Sequence, residues 1–259
     1  AQTDALGTLT ILEAMKNHCP NARFYQASTS ELYGGMGYNM PTNGYTEDSK
    51  FHPRSPYGVA KLYGFWIVKN YREAHGLFAC NGILFNHESE RRGETFVTRK
   101  VTTNLAEVAC GKRDVLKIGN IDAKRDWGHA RDYVDGMWRM LQTDTPEDFV
   151  LATGITTSIR DFVKLSFAEL GIELAFRGKD ETEEGFIVEN NGQYKLEKGK
   201  VVVRVDPMYY RPTEVDLLVG DPTKAMSLLG WKPKYDLAAL VKEMVLSDLS
   251  FFQKENETK

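Results

Sequence analysis

Tyr57 and Lys61 are the two residues of this 259-residue chain whose types and spacing can do chemistry together. They lie in Pro53-Arg54-Ser55-Pro56-Tyr57-Gly58-Val59-Ala60-Lys61, which reads as a helix start. Ser55 is a favoured N-cap, and Pro56 has its φ preset for the first helical position. Residues four apart share a helix face, so the ammonium and the phenol project side by side. An ammonium beside a phenol favours the phenolate and draws the Tyr pKa down from about 10 towards the operating pH. Tyr57 is then suited to act as general base towards a sugar or steroid hydroxyl. Tyr-x-x-x-Lys also arises by chance, so the pair needs elements around it that make a site.

Upstream, Arg23-Phe24-Tyr25-Gln26-Ala27 reads as a strand that runs into Ser28-Thr29-Ser30-Glu31. In an open α/β sheet, ligands bind at the carboxyl ends of strands. On its own, Glu31 reads equally well as a solvated loop carboxylate. Before that strand, a helix is expected from Asp4 to His18, with Leu6, Leu9, Leu12 and Met15 as its buried face and Ile11 beside them. Gly34 to Phe51 reads as a long surface loop, and the Tyr57 helix should extend to His75, closed by Gly76. Strands follow at Phe78 to Phe85, Val115 to Ile118, Phe149 to Ala152 and Ile172 to Phe176. Helices are expected at Phe96 to Cys110, through Tyr133 to Met140, and at Ser158 to Leu170. Asp122 to Arg131 is a charged loop. Lys179 to Lys200 reads as polar, with a hairpin turn at Asn190-Asn191-Gly192 and a return strand at Val201 to Val205. A short helix after Asp221-Pro222 and an amphipathic helix from Leu237 to Phe252 close the chain. Alternating strands and helices predict an α/β fold with a parallel sheet.

Composition narrows the class. The chain is 42% hydrophobic and 27% charged, ordinary for a globular protein. A net charge of −3 gives no sequence-independent attraction to nucleic acid. No apolar run reaches the roughly 18 residues of a membrane span, and no signal peptide is visible. Cys19, Cys80 and Cys110 are odd in number and far apart, which argues against disulfides or zinc and for a reducing cytoplasm. His18, His52, His75 and His129 lack metal-ligand spacing. Trp66, Trp127, Trp138 and Trp231 read as packing residues, and Asp180-Glu181-Thr182-Glu183-Glu184 as a solvated loop. The chain opens without Met and inside a helical pattern, which predicts an upstream portion.

Several phrases resemble extended short-chain dehydrogenase/reductases acting on nucleotide sugars, and more closely the GDP-mannose 4,6-dehydratase family. They are Phe24-Tyr25-Gln26-Ala27-Ser28-Thr29-Ser30-Glu31-Leu32-Tyr33-Gly34, Pro53-Arg54-Ser55-Pro56-Tyr57-Gly58, and Leu84-Phe85-Asn86-His87-Glu88-Ser89. Arg91-Arg92-Gly93-Glu94-Thr95-Phe96-Val97-Thr98-Arg99-Lys100, Arg125-Asp126-Trp127-Gly128-His129-Ala130 and Tyr210-Arg211-Pro212-Thr213-Glu214-Val215 continue the match. The resemblance implies a Rossmann-like doubly wound parallel sheet, lacking its first βαβ units, with a smaller α+β substrate domain. Residues 1–90, 124–150 and 201–222 would form the NADP-binding part, and 91–123, 151–200 and 223–259 the nucleotide-sugar part. The Gly34 to Phe51 loop is longer than the family's by about four residues. The Gly-rich fingerprint that holds the cofactor pyrophosphate would lie upstream; at about 30 residues or more per βαβ unit, on the order of 100 residues would precede Ala1.

What the resemblance implies for mechanism is specific. A C5 proton of GDP-mannose is not acidic until C4 is oxidised, so bound NADP first takes the C4 hydride and later returns it to C6. Tyr57 accepts the O4 proton, Lys61 supports it and holds the nicotinamide ribose, and Thr29 hydrogen-bonds O4. Glu31 removes the C5 proton and expels the C6 hydroxyl as water, leaving a 4-keto-6-deoxy sugar. His87 and Arg92 match cofactor contacts, and Asn86, Lys100, Arg125, Arg211 and Glu214 match contacts to the nucleotide sugar. The Arg91-Arg92-Gly93 loop implies a homo-oligomer, dimer or tetramer, since in the family it reaches a neighbour's cofactor. Two other readings stand beside this one: a sister nucleotide-sugar dehydratase or epimerase, and a non-catalytic truncated paralogue.

Overall fold

Phe78–Leu84 is buried from its second residue onward, the pattern of a strand covered on both faces. The structure, a computed structural model, describes residues 1–35, 42–209 and 217–257. In chain order the helices are α1 (Gly7–His18), α2 (Pro56–His75), α3 (Val97–Ala109), α4 (Ala130–Met140), α5 (Ile159–Ala168), α6 (Thr223–Leu229) and α7 (Leu237–Glu257). The main strands are β1 (Arg23–Ala27), β2 (Phe78–Leu84), β3 (Leu116–Ile118), β4 (Phe149–Leu151), β5 (Ile172–Arg177), β6 (Glu184–Asn190) and β7 (Val201–Val205). The chain divides into two units: Ala1–His87, Arg125–Thr156 and Val215–Lys234 form the first, and Glu88–Lys124, Thr157–Glu214 and Tyr235–Lys259 the second.

The first unit holds a parallel sheet in the order β1-β2-β4, with Tyr25 opposite Cys80 and Gly82 opposite Phe149. Parallel neighbours need a crossover, and α2 supplies it between β1 and β2. Ser55 caps α2 with Pro56 at its first position, and the helix ends at Gly76. Leu12 and Met15 of α1 pack with Val68 and Tyr71 of α2 over Leu77 and Ala79. The expected α1 face is corrected here: Leu6 and Ile11 are 52% and 54% exposed. A π-helical turn at Gln2–Leu6 precedes the regular helix, and the buried face runs instead through Thr8, Leu12 and Met15. Trp231 and Trp127 are packing residues, but Trp66 and Trp138 are exposed, contrary to expectation.

The loop expected at the surface between Gly34 and Phe51 is partly core; residues 36–41 of it lie outside the described residues. Tyr45 is buried, with its ring stacked on Tyr33 at 4.5 Å. Tyr33 in turn meets Phe51 and Phe85. Apolar rings pull the loop inward, which polar composition alone did not foretell.

Asp148 knits this unit together. Arg72 clamps its carboxylate with two bonds of 2.8 Å, and the Asn81 backbone and side-chain nitrogens donate to it at 2.8 and 3.0 Å. Burial pushes the Asp148 pKa up, but Arg72 and Asn81 outweigh it and hold the carboxyl below its ordinary range. A depressed folded pKa adds stability that is present above the unfolded value of about 3.9 and is lost as pH falls through the folded value. Asp148→Asn should therefore cost on the order of 3 kcal/mol at neutral pH, and the deficit should narrow below about pH 4. Urea midpoints at the two pH values check this; a deficit equal at both would contradict it.

The second unit holds a mixed sheet in the order β3-β7-β6-β5. β7 runs parallel to β3 and antiparallel to β6, and β6 antiparallel to β5. Helices α3, α5 and α7 pack against one another in this unit. β6, in a stretch that reads as polar, is the outgoing arm that the expected hairpin and its return strand require. Gly185 and Ile187 point inward, while Glu184 faces Arg177 and Arg204 at 3.2 and 3.0 Å, so its charge is paired within the sheet. The turn to β7 is correspondingly longer than Asn190-Asn191-Gly192, spanning residues 191–200. Nor is the acidic run all solvated, because Glu183 is buried against the Arg160 guanidinium.

The expected domain limits shift by more than six residues at two places. Residues 201–209 belong to the second unit, because β7 pairs with β3 and β6. Residues 223–234 belong to the first, where the Trp231 indole donates to the Asp132 carbonyl at 2.7 Å. Among the described residues, no helix is long and apolar enough to cross a membrane.

Candidate active site

Glu31 sits in a four-residue 3-10 turn, Ser30–Tyr33, entered directly from the end of β1. The Ser28 backbone N–H donates to Gly82 at 2.9 Å, so the ladder with β2 continues up to the turn. Thr29 then caps the turn: its hydroxyl accepts from the Glu31 backbone N–H at 3.2 Å. Gly34 closes it at φ 77°, where a Cβ would lie 2.1 Å from the His52 carbonyl oxygen. Only glycine fits there. The Glu31 carboxylate accepts from the Ser55 hydroxyl at 2.8 Å, and the same hydroxyl accepts from the Gly58 backbone N–H at 2.9 Å.

Tyr57 follows Ser55 by two residues on the first turn of α2 and is 44% exposed, as a group that must meet a ligand should be. The Lys61 ammonium lies 5.6 Å from the Tyr57 ring centroid. It donates to the Ala27 carbonyl at 3.2 Å and pairs with the Asp4 carboxylate at 3.3 Å. Gly64 favours this close approach, because a Cβ there would stand 3.1 Å from the Asp4 carbonyl oxygen and crowd the π-turn. A π-helical distortion beside a reactive lysine fits the frequent placing of such bulges at functional sites. Thr29, Glu31, Tyr57 and Lys61 thus lie in one unit, with Lys61 bonded to the last residue of β1 and Glu31 to the cap of the helix that carries Tyr57.

Asn86 and His87 follow β2, the parallel neighbour of β1, so they emerge at the same end of the sheet. The His87 ring donates from Nδ1 to the Phe85 carbonyl at 2.9 Å and stacks on Tyr133 at 4.9 Å. Arg125 is half-buried next to Asp126, which is wholly buried. Asp126 accepts from the Thr153 backbone and hydroxyl at 2.9 and 2.6 Å and from the Gly154 backbone N–H at 2.9 Å. Those donors lie just past β4, so Asp126 brings Arg125 to the carboxyl end of the same sheet. Burial pushes the Asp126 carboxyl up, and these donors oppose that without cancelling it.

The remaining predicted residues belong elsewhere. Arg92 and Lys100 are in the second unit. Arg92 stacks on Phe96, with 3.6 Å from guanidinium carbon to ring centroid, and its Nε lies 3.2 Å from the buried Glu88 carboxylate. The Thr98 hydroxyl donates to that carboxylate at 2.5 Å. The Lys100 ammonium stands over the Tyr209 ring at 3.0 Å; burial lowers its pKa, and Tyr209 opposes the shift. Arg211 and Glu214 lie outside the described residues. Asp4, Ser55, Glu88 and Asp126 escaped the sequence reading as site residues. Ser55 gave a signal as a cap, but its bond to Glu31 joins positions 24 apart and needs the fold.

Tyr57 and Lys61 lie on one helix, and Thr29 and Glu31 follow the end of a strand, as the sequence pattern predicts. The sequence pattern of the family described as GDP-mannose 4,6 dehydratase matches residues 1–244. The chain belongs to that family. It is 54% identical over 253 residues to the GDP-mannose 4,6 dehydratase of Dictyostelium discoideum, covering 96% of this chain and 67% of that protein. To the human GDP-mannose 4,6 dehydratase it is 52% identical over 256 residues, covering 98% of this chain and 65% of that one. The chain therefore spans about two thirds of the length of these relatives of the GDP-mannose 4,6-dehydratase family. Among solved structures, RMD from Pseudomonas aeruginosa complexed with NADPH aligns with TM-score 0.76 and 20% identity over 95% of this chain and 73% of that one. dTDP-glucose 4,6-dehydratase from Bacillus anthracis in complex with NAD aligns with TM-score 0.75 and 20% identity over 99% of this chain and 69% of that one. At that identity both show the Rossmann-type fold alone, and they agree with the parallel sheet of the first unit.

Proposed function

We propose that this chain carries the catalytic residues for dehydration of GDP-mannose to GDP-4-keto-6-deoxymannose. The observation that carries the reading is Glu31, held at a strand end in the same unit as the Tyr57 and Lys61 pair. An epimerase or reductase needs the pair but has no use for a carboxylate two residues beyond the threonine. Tyr57 takes the O4 proton, Thr29 hydrogen-bonds O4, and Glu31 removes the C5 proton and passes a proton to the departing C6 hydroxyl. One carboxylate serves adjacent carbons as base and then as acid.

The residues fit a nicotinamide dinucleotide. Lys61 has three donors and uses two, on Ala27 and Asp4, which leaves one for a ribose hydroxyl beside Tyr57. Such a group, when bound, supplies a hydride acceptor for C4 and a hydride donor for C6. NADP rather than NAD is supported by Arg92, whose guanidinium suits a phosphate. His87 contacts the same cofactor. Asn86, Lys100, Arg125, Arg211 and Glu214 bind the nucleotide sugar. Exposed Val59, Tyr63 and Trp66 on α2, with Leu6 and Ile11, support a homo-oligomer, dimer or tetramer. The three free cysteines support a cytoplasmic setting.

The test is incubation of the enzyme, as encoded, with GDP-mannose and with other nucleotide sugars. Loss of one water from GDP-mannose alone is expected. Turnover of a different nucleotide sugar without water loss would overturn the assignment.

A further inference from the structure

We infer that Ser55 is a positioning residue for the Glu31 carboxylate, coupling the proposed C5 base to the N-terminus of α2. This rests on the role given to Glu31 above. A serine hydroxyl has one proton and two lone pairs. The Gly58 backbone N–H can only donate, and at 2.9 Å it takes a lone pair of Ser55. The single proton is therefore committed to Glu31, 2.8 Å away. The backbone of Glu31 is fixed independently, by the Thr29 hydroxyl at one side and by Gly34 at the other. Both ends of the residue are thus held.

The consequence is geometric. One carboxylate oxygen, Oε2, is occupied by Ser55, which leaves Oε1 to face substrate. Because Tyr57 stands two residues beyond Ser55 in the same helix start, the cap also sets the separation between the base for C5 and the base for O4. A carboxylate on a flexible side chain loses rate when its rotamers are free, and a tether removes that freedom before substrate arrives.

Ser55→Gly and Ser55→Thr separate this from capping. Glycine keeps most of the N-cap and cannot tether Glu31, while threonine keeps both functions. Ser55→Gly should lower kcat about ten- to a hundredfold, the loss of one hydrogen bond to a charged group, with KM for GDP-mannose little changed. Its isotope effect with C5-deuterated GDP-mannose should rise, because proton removal becomes the slow step. Ser55→Thr should restore both. Wild-type kcat and isotope effect in Ser55→Gly, or failure of threonine to rescue, would overturn the inference. Glu31→Gln is the control. If it retains C5 proton exchange, the role of Glu31 fails and this inference with it; if it loses exchange while Ser55→Gly exchanges at the wild-type rate, the inference alone fails.

Discussion

Glu31→Gln should abolish water loss from GDP-mannose, with kcat lower by about 10² to 10⁴, the usual contribution of a positioned acid–base group. Glutamine matches the size of glutamate and keeps an oxygen that can accept from Ser55, so the turn at Ser30–Tyr33 and the cap of α2 should survive. What it lacks is basicity. The loss should therefore appear in kcat, with binding of GDP-mannose and the thermal midpoint little changed. Mass analysis of the product and a binding isotherm measured together check this. Retention of dehydration within a fewfold of wild type would remove Glu31 from the mechanism.

Tyr57→Phe should be nearly as damaging, by about 10² to 10⁴ in kcat, for a different reason. Only the hydroxyl is removed. The ring remains beside the Lys61 ammonium, at the 5.6 Å now observed, and the residue is 44% exposed, so no core is disturbed. Lys61 stays anchored to Ala27 and Asp4. The variant therefore tests acceptance of the O4 proton while leaving the Ser55 cap and the Lys61 anchors in place. Since C5 becomes acidic only once C4 is a ketone, C5 proton exchange with solvent should vanish as well. Exchange that persists in Tyr57→Phe would place proton removal at C5 ahead of C4 oxidation and contradict the order proposed.

Much of this site was legible because its signals are local. Ser55-Pro56 announces a helix start and Tyr57-x-x-x-Lys61 a shared face, and both follow from backbone rules within nine residues. Phe78–Leu84 was legible because a strand buried on both faces is apolar nearly throughout, here apart from Asn81. What stayed hidden depends on partners distant in sequence. Glu184 reads as part of a solvated loop until Arg177 and Arg204 pair with its charge. Leu6 reads as core because periodicity assumes a regular helix, whereas it ends a π-turn; Ile11, in the regular helix, lies beside the buried face of Thr8, Leu12 and Met15 and is exposed. Asp126 and Ser55 looked like a charge and a cap; their bonds to Thr153 and Glu31 exist only once the sheet ends are assembled.

The most direct measurement of the central claim is the position of solvent label in the product. GDP-mannose is turned over by the enzyme in D₂O and the product analysed by mass and by proton resonance. If Glu31 passes the C5 proton to the departing water, C5 must be reprotonated from a group that exchanges with solvent. The account predicts loss of one water and a single deuterium, at C5, with none at C6. Product without water loss, or solvent deuterium at C6, would contradict it.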